Sequence, residues 1–314
     1  TQTLELDNVS GVRTVGVTGS AAGIVDGFNA STTQPTFAVN NYTRVATLAP
    51  AQLDGTTANG TAETINVSVS GLSFGTTDAT RSGITIDSAG NAGALETLNL
   101  ASVGSTANDF ALAFGAGDSV ATLNVTGGQD AQIRVTHGAI SGVTVNGTAN
   151  TGNVTLRIDR DGATTTATNA ANFTGVDNIL LVDGTAGNDG AVLASLQSGQ
   201  QVTIGSSFAG ANSSLAMQGA TFTSMRDSAV VTLDHVTANT GVTLAQLDVQ
   251  NVRTLSLTSA GNAASTSTTG ANVIDDLVGD FTTITIGGDT SIKLDLNIDA
   301  TETATTPTAR TVVV

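Results

Sequence analysis

The sequence predicts an all-β protein of stacked repeats, a β-solenoid of the parallel β-helix kind with irregular loops, and tandem β-sandwiches are the runner-up. Three observations carry that expectation: apolar residues recur at period two, one short sequence unit recurs along the chain, and the side chains are light. Among 314 residues there are 36 glycines, nine Phe, one Tyr and no Trp. Such a chain fills only a thin core, which is what a stack of short strands needs.

Period two places successive side chains on opposite faces of a strand. Ile84/Ile86, Leu98/Leu100, Leu123/Val125 and Ile133/Val135 follow it, as do Val154/Leu156/Ile158, Val202/Ile204 and Ile292/Leu294/Leu296/Ile298. Thr, Ser and Asn fill the alternate positions. Turns rich in Gly, Asn and Asp follow about every 8 to 12 residues, the spacing of an all-β chain.

The repeat is visible where Glu96-Thr-Leu-Asn-Leu100-Ala-Ser-Val-Gly104 resembles Ala121-Thr-Leu-Asn-Val125-Thr-Gly-Gly128, Val252-Arg-Thr-Leu-Ser-Leu257-Thr-Ser-Ala-Gly261 and Phe281-Thr-Thr-Ile-Thr-Ile286-Gly-Gly288. Each reads Thr-apolar-polar-apolar and then a small-residue turn. The opening Asn8-Val-Ser-Gly-Val12-Arg-Thr-Val-Gly-Val17-Thr-Gly matches Asp248-Val-Gln-Asn-Val252-Arg-Thr-Leu-Ser-Leu257-Thr-Ser. Further copies stand at Ala62–Val67, Gly142–Gly147 and Phe173–Gly184. In a stacked array each unit gains its stability from its neighbours, so recurrence is the sign of the architecture.

Three related segments, Thr47-Leu-Ala-Pro-Ala-Gln-Leu53, Val192-Leu-Ala-Ser-Leu196 and Thr243-Leu-Ala-Gln-Leu247, are expected to form single helical turns between strand groups. An Ala/Thr/Asn-rich stretch near 162–172 is read either as a lobe boundary or as a long surface loop. The chain starts at Thr1 with neither Met nor a charged-then-apolar signal, so residues 1–314 are read as a fragment of a longer protein.

Net charge is −16, with Lys293 the only lysine and the nine arginines scattered singly. Phosphate and anionic lipid surfaces draw affinity from clustered Lys and Arg, so neither nucleic acid nor a membrane surface is an expected partner. No run of about 18 apolar residues predicts a transmembrane helix. The absence of cysteine removes disulfides, zinc thiolates, iron–sulfur clusters and thiol nucleophiles together.

The acids are 22 Asp and 4 Glu. Glu carries the same charge, whereas the short Asp carboxylate suits turns and the oxygen cages of hard cations, so several calcium ions are expected. The candidate ligands are Asp159 and Asp161, Gly187, Asn188 and Asp189, Asp275 and Asp276 with Asp280, Asp289, and Asp295, Asn297 and Asp299. Asp295-x-Asn297-x-Asp299 opens like an EF-hand loop, but Ala300 replaces its glycine and Thr306 its closing glutamate, which rejects that motif. On a strand the same spacing puts three oxygen ligands on one face. The competing readings are a solvated strand face and, for Asp159 and Asp161, ion pairs with Arg157 and Arg160. Gly184-Thr-Ala-Gly187-Asn-Asp189-Gly-Ala-Val192 resembles a single calcium-binding nonapeptide, with a plain turn as the alternative.

Taken together, the E-T-L-N-L-x-S-x-G and T-L-N-V-T-G units, the Thr/Ala/Gly/Asn/Asp composition and the nonapeptide resemble the Caulobacter-type surface-layer (S-layer) proteins and related RTX-secreted bacterial surface proteins. The resemblance implies a calcium-dependent structural protein, exported by type I secretion to the extracellular cell surface, that self-assembles into a two-dimensional lattice. Its partner would be itself, with cell-surface polysaccharide bound through a region outside the fragment. An RTX-type adhesin that binds a glycan or a protein is the alternative. A β-helix polysaccharide-degrading enzyme is less favoured, because sugar rings dock on aromatic platforms and aromatics make up 3% of the chain. Catalysis is not expected: His137 and His235 are the only histidines, and no nucleophile elbow, phosphate loop, HExxH or dinucleotide fingerprint is present.

Overall fold

A computed structural model describes residues 2–6, 12–19, 22–29, 35–52, 64–75, 82–87, 94–160, 168–183, 192–197, 200–206, 214–217, 227–237, 240–261, 271–279, 281–296 and 311–313. The chain divides into two compact units, Thr1–Leu156 with Asn172–Val176, and Arg157–Ala171 with Asp177–Val314.

In the first unit, successive strands alternate between two parallel sheets. One sheet stacks Thr14–Thr18, Thr36–Asn40, Thr64–Ser70, Ala94–Val103, Ser119–Gly127, Thr144–Asn150 and Phe173–Thr174 in chain order. The other stacks Gln2–Glu5, Gly23–Asn29, Val45–Gln52, Gly83–Ile86, Asn108–Phe114 and Ala131–Thr136. Each winding of the chain therefore adds one strand to each sheet, which is a β-solenoid. Parallel pairing throughout excludes tandem sandwiches, which are antiparallel.

The core consists of apolar columns running along the stack. Val15, Phe37, Val67, Leu100 and Val125 lie in one register line, and the last four are essentially inaccessible. Ile65, Leu98, Leu123, Val145 and Phe173 form the next. Each side chain is covered by its counterparts above and below, so burial follows from recurrence of the pattern.

The second unit repeats the arrangement. Asn178–Asp183, Gln201–Ile204, Asp227–Leu233, Val252–Ser259, Thr283–Gly288 and Thr311–Val313 make one sheet. Val192–Leu196, Ser214–Met217, Leu247–Gln250, Asn272–Gly279 and Ile292–Leu296 are stacked in the other. Ile179, Val202, Val231 and Leu257 form a buried column.

A polar bracket turns the corner between sheets, and each unit contains one. In the first, the buried Asn108 donates from Nδ2 to Ser102 Oγ (2.9 Å) and the Val103 carbonyl (3.1 Å), while its Oδ1 accepts the Leu72 N–H (3.1 Å). In the second, Asn272 donates to Ser259 Oγ (2.9 Å) and the Ala260 carbonyl (3.0 Å) and accepts the Val242 N–H (2.7 Å). The next coil packs on each bracket through a glycine at positive φ, Gly127 (115°) or Gly288 (121°), where a Cβ would collide with the carbonyl of Ser102 or Ser259. Those carbonyls accept the N–H groups of Gly128 and Gln129, and of Asp289 and Thr290.

The expected helical turns are overturned. Val45–Gln52 and Val192–Leu196 are strands, and Thr243–Leu244 and Leu247–Gln250 are two short strands. Leu193 and Leu196 both face the core three residues apart because Ser195 adopts a left-handed φ of 60° and the register shifts there. A bulged strand thus produces the apolar spacing that suggests a helix. Among the described residues, α-helix is confined to the four-residue turn His137–Ile140, capped by Thr136 Oγ1.

Candidate functional site

The same kind of bulge arranges the acidic residues of the second unit. In Asn272–Gly279 the register against Ile292–Leu296 shifts between Ile274 and Leu277, both of which are buried. Asp275 and Asp276 occupy the gap between them, outside the apolar column. Ile274 pairs with Leu294 and Leu277 with Leu296, so Asp295 on the adjoining strand falls beside the acidic pair. Two clusters that are separate in sequence therefore share one edge of the sheet.

Asp275 Oδ1 lies 3.6 Å from Lys293 Nζ, and both side chains are well exposed. Asp276 is half-buried: its Oδ2 accepts from Gln246 Nε2 at 3.4 Å, while its Oδ1 is buried with no hydrogen-bond partner. Three carboxylates against one ammonium leave two negative charges, and the oxygen donors suit a hard divalent cation. Among the described residues no three acidic or histidine side chains converge on one point, so an ion held by Asp276 would keep several waters.

The other candidates have different surroundings. Asp159 Oδ1 takes a 2.7 Å bond from Arg157 Nε. Asp289 is exposed on the turn over Ser259, where its Oδ1 accepts from Thr290 Oγ1 at 3.3 Å. Asp161, Gly187, Asn188, Asp189, Asp280, Asn297 and Asp299 lie outside the described residues.

His235 accepts the Thr237 N–H at Nδ1 (2.9 Å). Burial pushes its pKa below the ordinary imidazole range, against the opposing charge of Asp234. A Ser-His-Asp relay needs that nitrogen to donate to the acid, so the hydrogen bond has the wrong polarity for one. A shallow cavity of about 230 Å³ opens at the first coil, lined by Leu4, Val17, Ile24, Val25 and the buried Tyr42 among others.

Reading the repeats as strand units misses what they present to solvent. Thr64, Thr97, Thr122 and Thr144 form one outward column of the first sheet. The next outward column runs Thr14, Thr36, Asn66, Asn99, Asn124, Asn146 and Thr174. Its asparagines are linked: Asn124 Nδ2 donates to Asn99 Oδ1 and Asn99 Nδ2 to Asn66 Oδ1, each at 2.9 Å. The line finishes at Asn146, whose Oδ1 accepts from the backbone and hydroxyl of Thr148 (3.2 and 2.7 Å). A third column holds Gly16, Ala38, Ser68, Ala101 and Thr126. No position in these three columns carries a charge. The recurring Thr-x-Asn triplet is the sequence signal for this face.

No protein-family model, curated protein or solved structure matches the chain.

Proposed function

We propose that the chain is a structural, self-assembling bacterial cell-surface protein, exported to the extracellular face, whose lattice forms in a calcium-dependent manner and which has no catalytic role. The observation that carries this reading is the contrast between a net charge of −16 and an outward face whose three register columns hold only Thr, Asn, Ser, Ala and Gly. Such a face is suited to contact: its side chains are short and lose little entropy when ordered. The charge elsewhere opposes every contact made outside that face until a divalent cation bridges it, and the Asp275, Asp276 and Asp295 edge offers carboxylates for that bridge.

Millimolar calcium, the range of weak extracellular sites, is expected to convert the protein into sheets or ordered oligomers visible by negative-stain microscopy. Magnesium, which dehydrates reluctantly, should do so poorly. Calcium that leaves the protein monodisperse, with a defined glycan binding tightly, would establish an adhesin instead.

A further inference from the structure

We infer that the Thr/Asn face of the first unit is a self-recognition surface, and that its occupant is the same face of a second copy of this chain. This deepens the self-assembly reading and rests on it, but it concerns a contact that requires no calcium.

The argument starts from the register. Parallel strands stacked with identical residues in line, Thr over Thr and Asn over Asn, are the arrangement found in one sheet of a steric zipper. In a zipper the asparagine ladder satisfies its own amides along the stack, as the 2.9 Å bonds from Asn124 to Asn99 and from Asn99 to Asn66 do here. The opposing sheet contributes dry interdigitation of short side chains. Here the first of the two sheets is built within a single chain.

Charge and area select the occupant. The chain carries −16, so most juxtapositions of two copies bring like charges together. The three columns contain no ionised group, and Glu96, on the same strands, sits before Thr97 at the margin of the face, so pairing the columns about a two-fold axis keeps carboxylates out of the centre of the contact. The three columns hold 4, 7 and 5 positions, and at ~6.6 Å along the strand by ~4.8 Å between strands they present roughly 500 Å² per copy. The pair would bury about 1,000 Å², the area a specific interface has to reach.

The test uses the whole chain in EDTA at ordinary salt. Sedimentation velocity at tens of micromolar should show a dimer. Ser68→Lys with Ala101→Lys, which places two cations in the third column and leaves the asparagine ladder intact, should weaken dimerisation at least about a hundredfold. Unchanged circular dichroism would confirm that this variant folds. Because the chain has no cysteine, a spin label on Thr18→Cys, exposed on the same sheet and outside the three columns, is unique, and in the dimer two labels should lie within roughly 40 Å, set by the face dimensions and a sheet separation of ~10 Å. A wild-type monomer in EDTA, or a dimer that the lysine pair leaves intact and whose labels show no dipolar coupling, would overturn the inference. If the dimer forms in EDTA and calcium adds no sheets, lattice building fails while the face pairing stands. Calcium-driven sheets that the lysine pair leaves unaffected would instead overturn the face pairing while lattice building stands.

Discussion

Asn108 and Asn272 show how much of this fold depends on single polar side chains. Each is buried and satisfies a backbone N–H from the preceding coil together with acceptors at its own corner. Replacing either by alanine leaves those groups unpaired in the interior, at about 1–3 kcal/mol each. Asn108→Ala and Asn272→Ala are therefore expected to lower stability by at least about 2 kcal/mol in urea unfolding. Gly127→Ala and Gly288→Ala should be at least as damaging, since each methyl meets a carbonyl already accepting two N–H bonds. Gly16→Ala, with nothing within 4 Å, is the control and should change stability by less than about 1 kcal/mol. Half of this bracket is legible in the sequence, where Leu100-Ala-Ser-Val-Gly104 aligns with Leu257-Thr-Ser-Ala-Gly261. The asparagines are not, because Asn108 comes six positions after Ser102 whereas Asn272 comes thirteen positions after Ser259. Loop length varies freely in a solenoid, so the partner drifts along the sequence while its place in space stays fixed.

At the scale of the strand, period two identified the core because stacked neighbours cover each inward residue. Ile84, Ile86, Leu98, Leu100, Leu123, Ile133, Val154, Leu156, Ile158, Val202 and Ile204 are all buried. Ile292 and Leu294 follow the same period yet are only half-buried. The bulges escaped the pattern. A strand that places apolar residues at i and i+3 on one face imitates a helical turn, and only the left-handed Ser195 backbone reveals the difference. Left-handed φ costs a non-glycine residue about 1–2 kcal/mol, so Ser195→Gly should be neutral to stabilising. Ser195→Val, β-branched, should destabilise by at least about 1 kcal/mol. A helical turn would order the two the other way, since glycine is the poorer helix former; comparing the melting temperatures of the two variants decides between the conformations.

For the molecule as a whole, the question is whether calcium acts as a bound ligand or as bulk screening. A chain of net charge −16 repels itself, so any added salt stabilises its folded state to some degree. Site binding adds a separate increment, because an ion that attaches only to the native state raises stability by about 2.7 kcal/mol at one hundred times its Kd. Screening depends on ionic strength, whereas binding depends on the ion, and the two separate when melting is followed in EDTA, magnesium and calcium at one matched ionic strength. Calcium is expected to give the highest melting temperature and EDTA the lowest. The increment should be reduced in Asp276→Asn, which keeps the shape of the side chain whose buried Oδ1 lacks a partner but removes its charge. The sign of the variant's effect in EDTA is the internal check: with no cation present, neutralising Asp276 relieves repulsion from Asp275 and Asp295, so the variant should be no less stable than wild type there. Equal melting temperatures in calcium and magnesium, together with a variant that responds like wild type, would mean that the carboxylates only solvate the surface. The bulge between Ile274 and Leu277 would then be a feature of packing alone.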